Sequence, residues 1–405
     1  MLDTQTKELV KATAPVLQEH GVALTRHFYA RMFEHNPELR EIFNQGHQRS
    51  GAQQQALAMA VAAYAANIEN PGVLMPVLER IAAKHVSLGI RKEHYAIVGK
   101  HLLASIGEVL GEAATPALIA AWAAAYGQLA DILIGMEQAI YDEAAQREGG
   151  WTGWRTFRVQ RKQAESEEIR SFELRPADGG LVPHYRPGQY VSVRVVIPEL
   201  GYPQPRQYSL SGAPGQGHLR ISVKREAAGV NNPAGMVSNH LHEHILEGDV
   251  IEVAPPAGDF FLHEDRQTPV VLLSAGVGIT PMMAMLEHLH DTAPTRAVRF
   301  VHAARHAGVQ AFAERFHALV AGFEDGRAWV AHEEAHSADT PALCNELGRL
   351  DVSRLAEQGL LPANADYYLC GPKGFMATQL NALRGLGVPA DRIHAEAFGT
   401  GGVAS

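Results

Sequence analysis

Residues 270 to 281 read Val-Val-Leu-Leu-Ser-Ala-Gly-Val-Gly-Ile-Thr-Pro, an apolar strand that runs into a glycine turn and then into a helix opened by proline. Ala275, Gly276, Val277, Gly278, Ile279 and Thr280 form the turn. Gly276 and Gly278 let backbone amides approach a pyrophosphate, and the helix N-terminus favours its negative charge. Pro281 stands where the common dinucleotide fingerprint has its last glycine, so on spacing alone a plain structural turn stays open. A second set, Arg206-Gln207-Tyr208-Ser209, offers a guanidinium that can fork onto phosphate oxygens and a ring that can stack on a flat heterocycle. A third, Cys370-Gly371-Pro372, closes a later apolar strand, where a free cysteine is ordinarily a small buried hydrophobe.

Nearer the N-terminus, His85 shares one helical face with Leu74, Val77, Leu78, Ile81 and Leu88. An imidazole on such a face is either an axial ligand for a haem iron or a core histidine with a satisfied ring. Tyr29 follows Phe28 in an apolar helix, Phe43 sits in an Ile-Phe-Asn corner, and Gln53 precedes Leu57 by one turn. Tyr95 and Glu137 lie on later apolar faces, and a carboxylate so placed needs a partner.

Three kinds of element must position these groups. Residues 4 to 146 carry helical periodicity, with further stripes at Gln53, Leu57, Val61, Tyr64, Ile68 and at Tyr126, Leu133, Glu137, Ile140. This predicts an all-α domain of about six or seven helices. A run from Gln146 to Trp154 with three glycines ends it. The period then changes to two: Val191, Val193 and Val195 alternate with polar residues, as do Leu219, Ile221 and Val223. With Thr156–Val159, Ser171–Leu174 and Asp249–Val253, these predict a small antiparallel β-barrel. From about Gln267, apolar strands at Val270–Leu273, Arg299–Ala303, Ala328–Ala331 and Tyr367–Cys370 alternate with helical segments, which predicts an α/β domain with a parallel sheet.

Composition narrows the function. Of 405 residues, 46% are hydrophobic and 20% charged, which suits globular domains rather than disorder. A formal charge of -9 speaks against a nucleic-acid partner. Cys344 and Cys370 are too few for a disulfide framework, and the polar start at Met1 to Lys11 lacks a signal peptide's apolar core, so a cytoplasmic location is expected. Residues 113 to 136 are apolar, but Pro116, Gln128 and Asp131 interrupt them, so a buried helix is expected rather than a stable membrane span.

Through Arg206 to Ser209, the Gly276 turn and Cys370 to Pro372, residues 151 to 405 resemble the ferredoxin–NADP reductase family. With the helical part and its His85, Tyr29, Phe43, Gln53, Tyr95 and Glu137, the whole chain resembles the flavohaemoglobins, bacterial and fungal nitric oxide dioxygenases. The resemblance implies three domains: a globin haem domain at 1–146, an FAD-binding β-barrel at 151–265 and an NAD(P)H-binding α/β domain at 266–405.

It also implies roles. His85 would be the proximal ligand of haem b, with Tyr29 and Gln53 on the oxygen side and Tyr95 and Glu137 in a proximal network. Lys84 and Glu396 would tune the exchange between haem and flavin. Tyr190, Arg206, Tyr208 and Ser209 would hold FAD, with Ala397, Phe398, Gly399 and Thr400 as its C-terminal contact. The turn at 235 to 238 would be a second phosphate-binding turn, although Ser238 is equally a simple helix N-cap. Cys370, Gly371 and Pro372 would lie beside the nicotinamide. Ala275 and Thr400 depart from the family's usual glycine and proline.

The expected activity is NAD(P)H-dependent conversion of nitric oxide and O2 to nitrate by a monomer or weak dimer. The alternatives are a flavin or haem reductase of quinones, ferric compounds or O2, and an oxygen-binding storage or sensor globin. Arg305, after the second strand of the α/β domain, either meets a 2′-phosphate or is a solvated loop charge. His332-Glu-Glu-Ala-His336 matches a zinc-protease pattern but follows a strand-like run, so no zinc site is expected. His240, His242 and His244 are expected on a solvated face.

Overall fold

A computed structural model describes residues 2–229, 233–336, 344–362 and 364–398. Gly399 and Thr400 lie outside the described residues. The chain divides into two compact units. One comprises residues 1–147 with 151–154 and 194–206, the other 148–150, 155–193 and 207–405.

The first unit is a bundle of α1 (Thr4–Ala12), α2 (Ala14–His35), α3 (Gln45–Ser50), α4 (Ala52–Ala66), α5 (Met75–Ser87), α6 (Lys92–Leu110) and α7 (Pro116–Gln146). Asp3 caps α1 by accepting from Thr6 N at 2.7 Å, and Thr115 caps α7 by accepting from Leu118 N at 3.2 Å. Phe28, Met32, Tyr64, Ile68, Ile106 and Trp122 fill the core. α2 crosses α4 closely, because a Cβ on Gly21 would lie 3.1 Å from that of Ala58.

The expected stripe around His85 is narrower than periodicity suggested. Leu74 belongs to a preceding 3-10 turn, so the helical phase starts at Met75, the core face runs through Leu78, Ala82 and Val86, and Val77 is exposed. α7, the one described helix long and apolar enough to cross a membrane, is also not buried all round. Leu118, Trp122, Leu133 and Glu137 face inward, while Asp131 and Gln138 are exposed.

The second part of the fold holds two sheets. Strands β1 (Arg155–Ala164), β2 (Ile169–Pro176), β3 (Tyr190–Ile197), β4 (Tyr202–Ser209), β5 (Leu219–Lys224) and β6 (Val250–Val253) lie in the order β4-β3-β6-β1-β2-β5, with helix α8 (Met236–Glu243) before β6. The bridge Leu210↔Ile221 joins the end of β4 to the other edge strand, β5, as a barrel requires. The interior is built by alternation: Phe157, Val159, Phe172, Leu174, Val191 and Val193 are fully buried.

The second sheet comprises β7 (Val270–Ala275), β8 (Val298–Ala304), β9 (Gly326–His332), β10 (Glu346–Leu347), β11 (Asp366–Gly371) and β12 (Ile393–Ala397), in the order β10-β9-β8-β7-β11-β12. Every pairing in it is parallel. Helices α9 (Ile279–Thr292), α10 (Ala313–Ala321), α11 (Val352–Glu357) and α12 (Lys373–Gly385) complete it. β10 and β12 escaped the sequence reading for different reasons. The first has two residues, and in the second His394 and Glu396 interrupt any apolar run. His332 ends β9 rather than lying on a helix, and its Nε2 bonds Gln310 Oε1 at 2.6 Å.

One expectation fails here. His242 is buried rather than solvated, because α8 packs on β5 and His242 Nε2 bonds the Val223 carbonyl at 2.7 Å.

Candidate functional site

His85 stands in the last turn of α5. The Ile90 amide donates back to its carbonyl at 3.0 Å, and Gly89 supplies the left-handed residue (φ 75°) that the reversal needs. His85 Nδ1 lies 2.8 Å from Glu137 Oε1 on α7 and 3.1 Å from the Tyr95 hydroxyl on α6. Tyr95 donates to the same carboxylate oxygen at 2.5 Å. The Tyr126 hydroxyl in turn donates to the Tyr95 carbonyl at 2.7 Å.

The Glu137 side chain is 3% exposed, so its two donors satisfy a group that burial alone would disfavour. With Nδ1 donating, His85 Nε2 keeps its lone pair, and no hydrogen-bond partner for it occurs among the described residues. No cluster of three or more His, Cys, Asp or Glu able to hold a metal ion occurs among the described residues. A lone imidazole with an oriented ring suits a haem iron, whose equatorial ligands come from the macrocycle.

Tyr29 is almost fully buried, and its ring packs on Phe28, Phe33 and Phe43 with centroids 4.9, 5.9 and 5.6 Å away. Its hydroxyl is hydrogen-bonded with the Gln53 side chain, and burial pushes its pKa up to about 12. The structure therefore joins Tyr29, Gln53 and Phe43 into one polar point in an aromatic wall. On α4 it is Gln54 that is buried, bonding Gln48 Oε1 at 2.9 Å, while Gln53 is half-buried. Lys84, beside His85, is half-buried, and its pKa is lowered by desolvation.

On β4, strand alternation leaves Gln207 exposed, Tyr208 half-buried and Ser209 buried. Arg206 Nη1 donates to the Pro205 carbonyl at 2.7 Å. Tyr190 opens β3, paired by backbone with Ala257, and a Cβ on Gly258 (φ 112°) would lie 3.0 Å from its ring. These are an aromatic, a guanidinium and a hydroxyl of the types a flavin dinucleotide uses.

Ser238 is not the N-cap of α8. Gly235 holds that place without a side-chain cap, and Ser238 Oγ donates to the Gly235 carbonyl and accepts from Glu226 N, both at 3.2 Å. The first-turn amides of α8 have no side-chain cap, an arrangement that can donate to a phosphate.

The β7 turn has Gly276 in the left-handed region (φ 54°), and α9 starts without a side-chain cap. Gly278 has a packing duty that its spacing did not show. A Cβ there would collide with the Cys370 carbonyl, so this glycine lets β11 lie against the turn. Thr280 Oγ1 donates to the Val277 carbonyl at 2.9 Å, fixing the first helical turn. Gly371 is equally tight, because a Cβ would meet Phe375 at 2.9 Å and Ala275 N at 3.2 Å.

Cys370 is fully buried in the core, and desolvation, then Glu396, raises its thiol pKa well above normal. β11 sets Cys370 level with Ser274 on one side and Glu396 on the other. Glu396 Oε2 is shielded from solvent without a hydrogen-bond partner among the described residues, and burial, then the Asp259 charge, pushes its pKa up to about 8. Pro372 caps α12, and Ala397 and Phe398 follow Glu396, Phe398 being exposed.

Sequence reasoning missed Asp259 and the buried pair Ser274 Oγ and His302 Nδ1, 2.9 Å apart beneath the turn. The pairing of a polar residue in β7 with one in β8 becomes visible only once register is known.

Three family models match: globin over residues 26–133, the oxidoreductase FAD-binding domain over 156–262 and the oxidoreductase NAD-binding domain over 272–380. A flavohemoprotein of Bordetella parapertussis is 63% identical, covering 100% of both chains. One from Chromobacterium violaceum is 59% identical, covering 99% of both. Among solved structures, a flavohemoglobin from Malassezia yamatoensis with bound FAD and heme matches with a TM-score of 0.85 at 28% identity, covering 98% of this chain and 100% of that one. The FAD/NAD-binding domain of nitric oxide dioxygenase from Vibrio cholerae matches with a TM-score of 0.55 at 42% identity, over 60% of this chain and 98% of its own.

Proposed function

This chain belongs to the flavohemoprotein family, NAD(P)H-dependent oxidoreductases with globin, FAD-binding and NAD-binding domains, and we propose that it is a nitric oxide dioxygenase that converts nitric oxide and O2 to nitrate. When bound, NAD(P)H supplies hydride, FAD splits the pair into single electrons and haem b supplies the one-electron site for O2.

The chain's own residues set up this chemistry. The α9 N-terminus and the Gly276 turn hold the pyrophosphate of the nucleotide. Gly371 and Pro372 shape the nicotinamide edge, next to the buried Cys370. Arg206 pairs with the FAD pyrophosphate, Tyr190 and Tyr208 pack on its ring, Ser209 reaches its reactive edge, and the α8 N-terminus with Ser238 serves its phosphate. His85 would hold the haem iron, and Tyr29, kept protonated by burial, would present its hydroxyl proton on the oxygen side with Gln53 beside it.

The single observation that carries this reading beyond oxygen storage is the 2.8 Å contact of His85 Nδ1 with the buried Glu137. A proximal imidazole bonded to a carboxylate is a stronger donor than one bonded to a carbonyl, which favours oxygen activation. The relative from Vibrio cholerae, named as a nitric oxide dioxygenase, supports the same activity.

Purified protein loaded with FAD and haem should consume nitric oxide only with O2 and NAD(P)H. Two nitrates should form per nucleotide, because a hydride carries two electrons and each nitrate needs one. Turnover of NAD(P)H without nitrate would leave a reductase and remove the dioxygenase reading.

A further inference from the structure

The strand that follows a dinucleotide glycine turn ends where the adenosine ribose of the nucleotide lies. A carboxylate there accepts from a free 2′-hydroxyl, whereas an arginine meets a 2′-phosphate. In this chain that strand is β8, in parallel register with β7 through Ala275↔Ala303, and it leads directly into Arg305. By residue type, Arg305 points to a phosphate. Its guanidinium is already engaged, however, with Nη2 2.5 Å from Glu168 Oε2.

Glu168 is held in place. Its carbonyl accepts from Arg225 N at 2.7 Å, and Glu167 N donates to the Gly308 carbonyl at 3.0 Å. Ser166 Oγ accepts from Glu168 N at 3.4 Å and Ile169 N at 3.2 Å. The turn between β1 and β2 is thus fastened to the loop after β8.

From the next strand, Glu333 N and Glu334 N donate to the carbonyls of Ala304 and Arg305 at 3.0 and 2.8 Å, which brings two more acidic residues to the same edge. The cations nearby are themselves paired. Lys224 Nζ is 3.9 Å from Glu168, and Arg349 Nε is 3.8 Å from Glu333.

We infer that the Glu168–Arg305 pair makes this enzyme select NADH over NADPH, because the carboxylate occupies the guanidinium that a 2′-phosphate would need. The inference rests on the nucleotide reading of the β7–α9 turn. A 2′-phosphate, with roughly two negative charges, would have to break the pair and then sit among Glu167, Glu168, Glu333 and Glu334. A 2′-hydroxyl meets neither obstacle and can donate to a carboxylate.

Calorimetric titration of the full FAD- and haem-loaded chain with 5′-AMP and with 2′,5′-ADP reads this end of the site without turnover. 5′-AMP is expected to bind at least about tenfold more tightly. Glu168→Gln releases Arg305 and should move the ratio by about tenfold toward 2′,5′-ADP, with kcat/KM for NADPH over NADH rising in step. Adding Arg305→Ala to Glu168→Gln should abolish that gain. An unchanged melting temperature confirms that each variant is folded, as expected for a pair whose arginine is exposed.

Equal or tighter binding of 2′,5′-ADP by the unmodified chain, or an unmoved ratio in Glu168→Gln, overturns the inference. A flavin that neither NADH nor NADPH reduces overturns the nucleotide reading beneath it.

Discussion

Glu137 on α7 holds His85 on α5 through an Oε1–Nδ1 contact of 2.8 Å, and Tyr95 on α6 shares that oxygen at 2.5 Å. One buried carboxylate therefore ties three helices to the ring that would carry the iron. Glu137→Gln keeps the shape and removes the charge. Haem should remain bound, the iron–histidine stretching frequency should fall, and nitric oxide turnover should drop by about 10- to 100-fold, the usual cost of losing such an outer partner. An unchanged stretching frequency would show that Glu137 serves only the packing of α7.

His85→Ala separates the two compact units by function. The Soret band should be lost, while reduction of a soluble dye by NAD(P)H continues at close to the original rate, because every proposed NAD(P)H contact, and every proposed FAD contact except Arg206, lies in the other unit. Loss of dye reduction together with haem would contradict that separation.

Tyr29 is a donor only while protonated. Burial holds its pKa near 12, so it stays a donor at every pH the protein tolerates. The O2 dissociation rate from the reduced protein should therefore be flat from about pH 6 to about pH 10. In Tyr29→Phe it should rise by roughly 10-fold or more, a lost hydrogen bond of about 1.5 kcal/mol or above. A dissociation rate that Tyr29→Phe leaves unchanged would remove Tyr29 from the oxygen side.

Much of this was legible in the sequence because single residues carried it. The apolar face around His85 and the one bearing Glu137 implied a buried imidazole and a buried carboxylate. They did not reveal the contact between the two, which depends on α5 and α7 crossing at those turns. The strand, glycine turn and helix at Val270 to Thr292 were equally plain. What spacing did not show was the packing demand on Gly278, which comes from the Cys370 carbonyl about ninety residues later. His242 was misjudged, since its partner is a carbonyl of β5. The contact between Glu168 and Arg305 joins residues far apart in sequence, so it too became visible only with the fold.

Gly278→Ala tests that contact. The added methyl meets the Cys370 carbonyl and the Gly371 amide, both backbone, so either β11 or the turn must shift. Overpacking of this kind costs about 1–3 kcal/mol and should lower the melting temperature. The KM for nucleotide should rise more than kcat falls, since the turn is the proposed pyrophosphate site. Gly276→Ala, with open space at its Cβ but φ 54°, should show the smaller stability loss.

Glu396 titrates in a range open to experiment. Its carboxyl is raised from 4.5 to about 8 by burial first and by Asp259 second. A raised folded-state pKa means that the protonated form is the one the fold prefers. Its contribution to stability is therefore complete below pH 4.5 and is lost as pH rises through about 8. The melting temperature should fall across that window, and Glu396→Gln, which keeps the neutral shape, should flatten the fall. Flavin reduction should carry the same titration. Hydride departure leaves positive charge on the nicotinamide, which a nearby carboxylate stabilises, so the rate should rise with an apparent pKa near 8 and lose that step in Glu396→Gln. Stopped-flow absorbance of the flavin at a series of pH values measures it. A step near pH 8 that persists in Glu396→Gln would assign the titration to another group.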